Sequence, residues 1–545
     1  MTLTGLPIGL QTFRKIIEDG YVYADKTGYI ADLARRGSYF FLSRPRRFGK
    51  SLFLDTIKEA FSGDRDLFAG LALADSGWDF PTHPVIRVDM SRFPNKSIEG
   101  LSNGVITSLR QTAHTYGLTS DHDNPVVAFD DLIARLHETT GHRVVVLIDE
   151  YDKPIIDHLD DLPTAESNRE FLRSFYGVMK GNDAHLRFVF LTGVSKFTRT
   201  SIFSQLNNLV DITMRPEYAG ICGITEAEFD RLFPAHIEAY KTAMAAQRRP
   251  EGGLSLDELR TEILDWYDGY TWDGVTRVLN PFSLLNFFDA KSFYPFWFVS
   301  GTPRFLVDTL AANPPRYAEI QAATITELDL DSTAIEHAPL PSLLFQTGFL
   351  TVASVDYVAR PPRYRLALPN TEVSTSLSRL FLDAVSQQTT SSPDTFYAAA
   401  EDALDTGHPE RLGPVLEGLY ASIPYNLHQG SEAFYHAIFL SVMQFLGFEV
   451  LGEVAVAGGE IDGVVNRPNG RTYVVEMKYV RTENDAASVQ IDEALAEAAG
   501  RALRQIAGKG YADRYRGTRR IVEEIGVAVA GRGRVLITSA AQTTS

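Results

Sequence analysis

The sequence predicts a multidomain α/β protein, and three observations carry that expectation. Its 545 residues exceed what one ordinary core holds, which points to two to four domains. Residues 1–215 alternate apolar runs of strand length with helical spacings, the pattern of a parallel sheet buried on both faces. Residues 396–545 show a second alternation of helices and strands, after a stretch that reads as helical and aromatic.

In the first stretch, "SYFFLS" is a short strand and "SLFLDTIKEAFSG" a helix with Leu52, Phe53, Thr56, Ile57 and Phe61 on one side. "HPVIRVDMS", "HRVVVLIDEYD" and "LRFVFLTGVSKF" supply three more buried strands. Residues 216–340 form a helical lid or middle domain without strand alternation, and Thr225 and Glu228 have the spacing of a capping box. Trp266, Tyr267, Tyr270 and Trp272 suit core packing better than stacking on a base. Residues 341–395 read helix, strand, loop, strand, helix, with "GFLTVAS" and "RYRLAL" as a hairpin; the order is compatible with a winged-helix or linker unit. In the last stretch, two helices precede strands "FEVLGEVAV", "EIDGVVNR" and "TYVVEMKYV", and a helix over 491–508 and the strand "IGVAVAG" close it.

Composition narrows the setting. Cys222 is the single cysteine, which excludes a disulfide framework or multi-cysteine zinc site and fits a cytoplasmic location. The N-terminus lacks the basic lead and apolar core of a signal peptide, and "AIFLSVMQFLGFEVL" is too short and polar to span a bilayer. No membrane partner is expected. A net charge of −17 argues against indiscriminate nucleic-acid binding, yet Arg501, Arg504, Lys509, Arg514, Arg516, Arg519 and Arg520 cluster within twenty residues beside one acid, Asp513. That cluster is either a solvated helix face or a nucleic-acid contact.

The first chemical site is "SRPRRFGKS". Phe48, Gly49, Lys50 and Ser51 form the second half of a phosphate loop between a strand and a helix. Gly49 lets backbone approach phosphate, Lys50 contacts it, and Ser51 ligates Mg2+. Arg44 stands where such a loop has its first glycine, and with Arg46 and Arg47 it adds positive charge there. "VVVLIDE" ends in Asp149, a second Mg2+ anchor, and Glu150, placed to orient or deprotonate the attacking water. "FVFLTGVSKF" ends in Thr192, Ser195 and Lys196, where an adjacent strand would present a γ-phosphate sensor. These features predict a P-loop NTPase sheet that binds ATP with Mg2+.

Taken with "YADKTGYI", "LIDEYDKPI", "LTGVSKFTRTSIFSQLNNL" and "NPFSLLNF", the sequence resembles the prokaryotic AAA-ATPase-like family, whose members often carry a C-terminal nuclease-type domain. In that family the loop typically reads RPRRFGKS, so the resemblance makes Arg44 a family feature. It extends through "LLFQTGFLT" and "LPNTEVSTSL" and leaves room for a homo-oligomer, since ATPases of this general type often assemble.

The second chemical site lies near the C-terminus. Glu476 and Lys478 in "VVEMKYV" share one face of a strand, and Asp462 comes from the strand before it. Two carboxylates across neighbouring strands suit Mg2+ or Mn2+, and Lys478 can position or deprotonate water for phosphodiester hydrolysis. The arrangement resembles the PD-(D/E)XK nuclease superfamily, which implies a restriction-endonuclease-like α/β domain. By the same resemblance Glu432 is a further metal-site acid, while Gln505 and Tyr511 belong to a helix element lying against the site or the nucleic acid. Arg504 and Lys509 are on that helix, and the coincidence favours nucleic-acid contact. Relatives often carry arginine where this chain has Glu460, a carboxylate that either joins the metal or disturbs phosphate approach. The combined expectation is an ATPase whose nucleotide state controls a nuclease acting on DNA or, secondarily, RNA. The alternative is a nucleotide-dependent switch whose C-terminal domain binds without cutting.

Overall fold

A computed structural model describes residues 3–159, 161–196, 202–203, 206, 208–301, 323–331, 339–377, 393–421, 431–445, 449–456, 459–467, 470–481, 488–516, 520–531 and 533–541. The chain divides into a compact unit of Met1–Thr302 with Ala323–Glu372, and another that takes it on from Val373 to Ser545. The helical stretch after residue 215 and the hairpin region up to Glu372 thus belong to the same unit as the N-terminal sheet.

In the first unit β1 (Tyr39–Ser43), β2 (Val85–Asp89), β3 (Val144–Asp149), β4 (Leu186–Gly193) and β5 (Val210–Asp211) form a parallel sheet in the order β2-β3-β4-β1-β5. Every residue of β1 and β3 is buried, as their unbroken apolar runs require. Helices Ile98–Thr115, Pro125–Thr140 and Leu162–Gly181 pack Leu101, Phe129 and Phe175 into the core that also holds Phe41, Ile86 and Val146. The helix Lys50–Ala60 meets Phe190 of β4 through Phe53, with ring centroids 5.7 Å apart. Because β4 lies between β1 and β3, the phosphate-loop strand and the strand ending in Asp149 both flank it.

Beyond the sheet the unit is mainly helical and aromatic. Thr225 and Glu228 close the expected capping box on the helix Glu226–Leu232. Tyr267, Tyr270 and Trp272 are buried. Two short ladders interrupt the helical region: β6 (Ile224–Thr225) pairs with β7 (Val278–Leu279), and β8 (Thr324–Ile325) adds to the antiparallel hairpin of β9 (Thr351–Asp356) and β10 (Arg363–Ala367). Two-residue strands carry too little alternation to be legible in sequence.

The second unit is built on β11 (Glu449–Val456), β12 (Gly459–Asn466), β13 (Arg471–Val480), β14 (Ile521–Ala530) and β15 (Arg534–Ala541), in that spatial order. Only β13 and β14 run parallel, joined by the helix Ser488–Lys509. The strand "IGVAVAG" does not close the domain, as the sequence suggested; β15 follows and pairs antiparallel with it. Gly526 lets the helix lie against β14, since a Cβ there would come 2.3 Å from Ala499 O. Among the described residues no helix is long and apolar enough to cross a membrane.

Candidate nucleotide and metal sites

β1 feeds directly into the helix Lys50–Ala60, so the first-turn N–H groups open at the sheet's carboxyl edge. The turn between them uses two left-handed residues, Arg47 at φ 72° and Gly49 at φ 93°. Gly49 meets this conformation without a Cβ penalty, and nothing else crowds it. The loop borders a cavity of about 410 Å3 whose lining includes the polar Arg46, Arg47, Lys50, Ser51 and Glu150 and the apolar Leu10, Val22, Ile224, Phe233 and Leu285.

Lys50 Nζ donates to Arg44 O at 2.9 Å and Pro45 O at 3.0 Å, so the ammonium is folded onto its own loop. Burial lowers its pKa against the opposing pull of Glu150 and Asp149. Asp149 is buried at the end of β3 and accepts from Thr192 Oγ1 at 2.8 Å. Glu150 sits at φ 49° and lines the cavity, its pKa raised by burial more than Lys50 lowers it. The donors along the cavity fit a magnesium nucleotide, with a helix N-terminus and Lys50 for phosphate and Ser51 as a hard oxygen ligand; Asp149, expected as a second ligand, is not among the residues that line it.

Two expected contacts are corrected. Arg44 does not line the cavity. Its guanidinium is 1% exposed, donates to the carbonyls of Ser43, Thr213 and Tyr218, and stacks 3.9 Å from the Trp272 ring centroid. A buried cation held through its two terminal nitrogens by carbonyls, and by an aromatic face, braces the loop, although its Nε has no hydrogen-bond partner among the described residues. Ser195 is buried with its hydroxyl and N–H on Asp152 Oδ2, both at 2.8 Å. The β4 side chain turned toward Asp149 is Thr192. Phe48 borders the cavity, but its ring packs edge-on against Tyr270 and Trp272.

Sequence reasoning missed Asp152, whose carboxylate gathers Val194 N, Ser195 N and Ser195 Oγ and so fixes the end of β4 against the turn after β3. It also missed Lys26, which lines the cavity and grips Glu228 with Nζ at 2.8 and 2.6 Å from the two carboxylate oxygens. The capping-box spacing gave Glu228 a local role only.

In the second unit, β12 and β13 bring Asp462 and Glu476 together at the end of their ladder, just beyond the Gly463–Val475 pair. Glu476 is 1% exposed and accepts from Lys478 Nζ at 2.9 Å and from Gln505 Nε2 through Oε1. Its Oε2 is buried without a hydrogen-bond partner. Burial raises its pKa, as do Asp462 and Glu432. An orphaned carboxylate oxygen among other carboxylates fits a divalent cation.

Among the described residues, however, no three His, Cys, Asp or Glu side chains converge as a metal-holding group. Asp462 Oδ2 accepts Met477 N at 2.7 Å, and Glu432 Oε2 accepts Tyr479 N at 3.0 Å. Both carboxylates are engaged by the backbone of β13. Glu432 Oε1 lies 3.7 Å from Lys478 Nζ. His436, one helical turn after Glu432, bonds Asp462 O through Nε2 at 2.7 Å; since a carbonyl only accepts, Nε2 is the donor. That i, i+4 spacing was the signal in the sequence.

The basic helix divides. Arg504 and Lys509 are exposed, and Gln505 turns inward to Glu476. Tyr511 is corrected: it is fully buried with Ile461, Val464, Val474 and Ile506, a core position out of reach of a nucleic acid. Arg501 pairs with Glu497, and Arg516 with Asp513 and Glu524. Arg519 and the Glu460 side chain lie outside the described residues.

Residues 7–203 match a family model described as "Predicted AAA-ATPase", and residues 430–539 match the PD-(D/E)XK nuclease superfamily. A protein of Azotobacter chroococcum mcd 1 named "Uncharacterized protein in vnfD 5'region" is 37% identical over 551 residues, covering 98% of both chains.

Proposed function

The chain belongs to the AAA-ATPase-like family and carries a PD-(D/E)XK nuclease superfamily domain toward its C-terminus, and from this we propose that it hydrolyses ATP and that its nucleotide state controls metal-dependent cleavage of DNA. The observation that carries the reading is that Lys50 and Ser51, at the start of one helix, and Glu150, directly after β3, border one cavity.

At the first site, phosphate oxygens replace the Arg44 and Pro45 carbonyls as acceptors for Lys50 Nζ. Mg2+ held by Ser51 and Asp149 would supply charge neutralisation on the phosphates. Glu150 orients the attacking water and takes its proton, and Thr192 holds Asp149 in place. At the second site, Glu476 Oε2 and Asp462, with Glu432, would hold Mg2+ or Mn2+, which supplies charge neutralisation at the phosphodiester. Lys478, which donates to Glu476 as an ammonium, positions the water, and Gln505 fixes the Glu476 carboxylate. Arg504 and Lys509 meet the nucleic-acid backbone.

Purified chain is tested for ATP turnover and for cleavage of radiolabelled single- and double-stranded DNA and RNA. Loss of turnover in Lys50→Ala and Glu150→Gln, and loss of cleavage in Glu476→Ala and Lys478→Ala, supports the reading; activities indifferent to those changes refute it. A second reading, a nucleotide switch whose C-terminal domain binds without cutting, is favoured by the engagement of Asp462 and Glu432 with backbone N–H groups. Calorimetry without divalent-ion binding at Glu476 would support it.

A further inference from the structure

The β9–β10 hairpin of the first unit carries a basic, aromatic tip that neither site uses. Strand alternation sorts its side chains: Val352, Tyr364 and Leu366 are buried, while Arg363 and Arg365 point to solvent. The turn presents Tyr357 at 62% and Val358 at 91% exposure. Arg360, Arg363 and Arg365 are exposed and make no ion pair among the described residues. Asp356, opposite Arg363 in the register, turns its carboxylate onto Val358 N at 2.9 Å and Ala359 N at 3.4 Å. In a chain of net charge −17, residues 354–365 hold three arginines and one acid.

We infer that this tip is a docking surface for single-stranded DNA, with Arg360, Arg363 and Arg365 against phosphates and Tyr357 stacked on a base. Guanidinium groups without acid partners keep their charge for an outside anion, and Arg363 and Arg365 stand about 7 Å apart along one face of β10. A solvated ring beside those cations is a stacking platform, and a ring reaches a base face where the bases are unpaired. One hairpin turn is too narrow to bury the roughly 800 Å2 per partner of a stable protein interface, whereas phosphate contacts need no continuous buried area. With its carboxylate turned to the backbone, the tip offers cations and a ring but little to select a sugar 2′-hydroxyl. The inference is independent of cleavage at Glu476.

The test is fluorescence anisotropy of the full chain on labelled oligodeoxythymidylate, in chelator to prevent metal-dependent cutting, across a salt series. The combined Arg360→Ala, Arg363→Ala and Arg365→Ala variant binds about tenfold or more weakly, and its log-affinity against log-salt slope falls by about 2. Tyr357→Ala binds about tenfold more weakly and Tyr357→Phe does not. The triple lysine variant keeps the slope, and unchanged melting of all variants separates binding loss from misfolding. An unchanged slope in the alanine variant overturns the inference. So does tighter binding to oligouridylate, or a hairpin-dependent affinity for polyaspartate with oligodeoxythymidylate binding unaltered.

Discussion

Thr192 Oγ1 donates to Asp149 Oδ1 across the ends of β4 and β3, a 2.8 Å bond between two buried side chains. Thr192→Val keeps the shape and deletes the donor, leaving a buried carboxylate oxygen without that partner. The expected cost is about 1–3 kcal/mol of stability. ATP turnover should fall more than nucleotide affinity, because Lys50 and the loop N–H groups are untouched. Equal losses in kcat and affinity would instead make Thr192 a general support of the fold.

Glu372 gives the first unit a distinct pH response. It is fully buried, accepts from Trp297 N and Ser283 Oγ at 2.8 Å, and burial pushes its carboxyl up to about 8 from an ordinary 4.5. Between those values the folded chain holds a proton that the unfolded chain has released, so stability falls as pH rises through the window and levels above about 8. Trp78, Trp266, Trp272 and Trp297, all the tryptophans of the chain, lie in this unit, so their emission follows its unfolding. Glu372→Gln should flatten the slope and raise Tm at pH 8 more than at pH 6. A slope the substitution leaves intact assigns it to other groups.

Glu476 should behave as a carboxylate waiting for a cation. Removing its charge in Glu476→Gln relieves a buried, partly unpartnered anion and raises the metal-free melting temperature of the second unit. Mg2+ or Mn2+ stabilises the unsubstituted chain and not the variant. Calorimetry reads both effects in the transition that tryptophan emission does not follow; equal metal shifts in the two proteins would remove Glu476 from the ligand set.

Packing of the helix Ser488–Lys509 on β14 depends on Gly526. A valine there collides with the Ala499 carbonyl, and the second unit loses about 1–3 kcal/mol in urea titrations. The same helix carries Gln505 to Glu476, so cleavage should fall with the packing.

Much of this was legible where local chemistry and structure coincide. The Gly49-Lys50-Ser51 turn, the strand ending in Asp149, the Thr225–Glu228 capping box and the shared face of Glu476 and Lys478 all follow from periodicity and spacing. What escaped was side-chain direction set by distant partners. Arg44 reads as a loop cation, but Trp272, far along the chain, supplies the face that turns it inward. Tyr511 follows a basic helix yet packs among Ile461, Val464 and Val474. Asp152 follows an acidic turn, and only the adjacency of β3 and β4 shows that it holds the backbone of Val194 and Ser195.

Control of cleavage by nucleotide state is read from the rate at which the full chain cuts radiolabelled DNA in Mg2+ or Mn2+, with and without ATP. A rate that changes with ATP is expected, with an altered rate and lost ATP response in Lys50→Ala and no cutting in Glu476→Ala. Cleavage that proceeds equally with and without ATP and is unaffected by Lys50→Ala would contradict it.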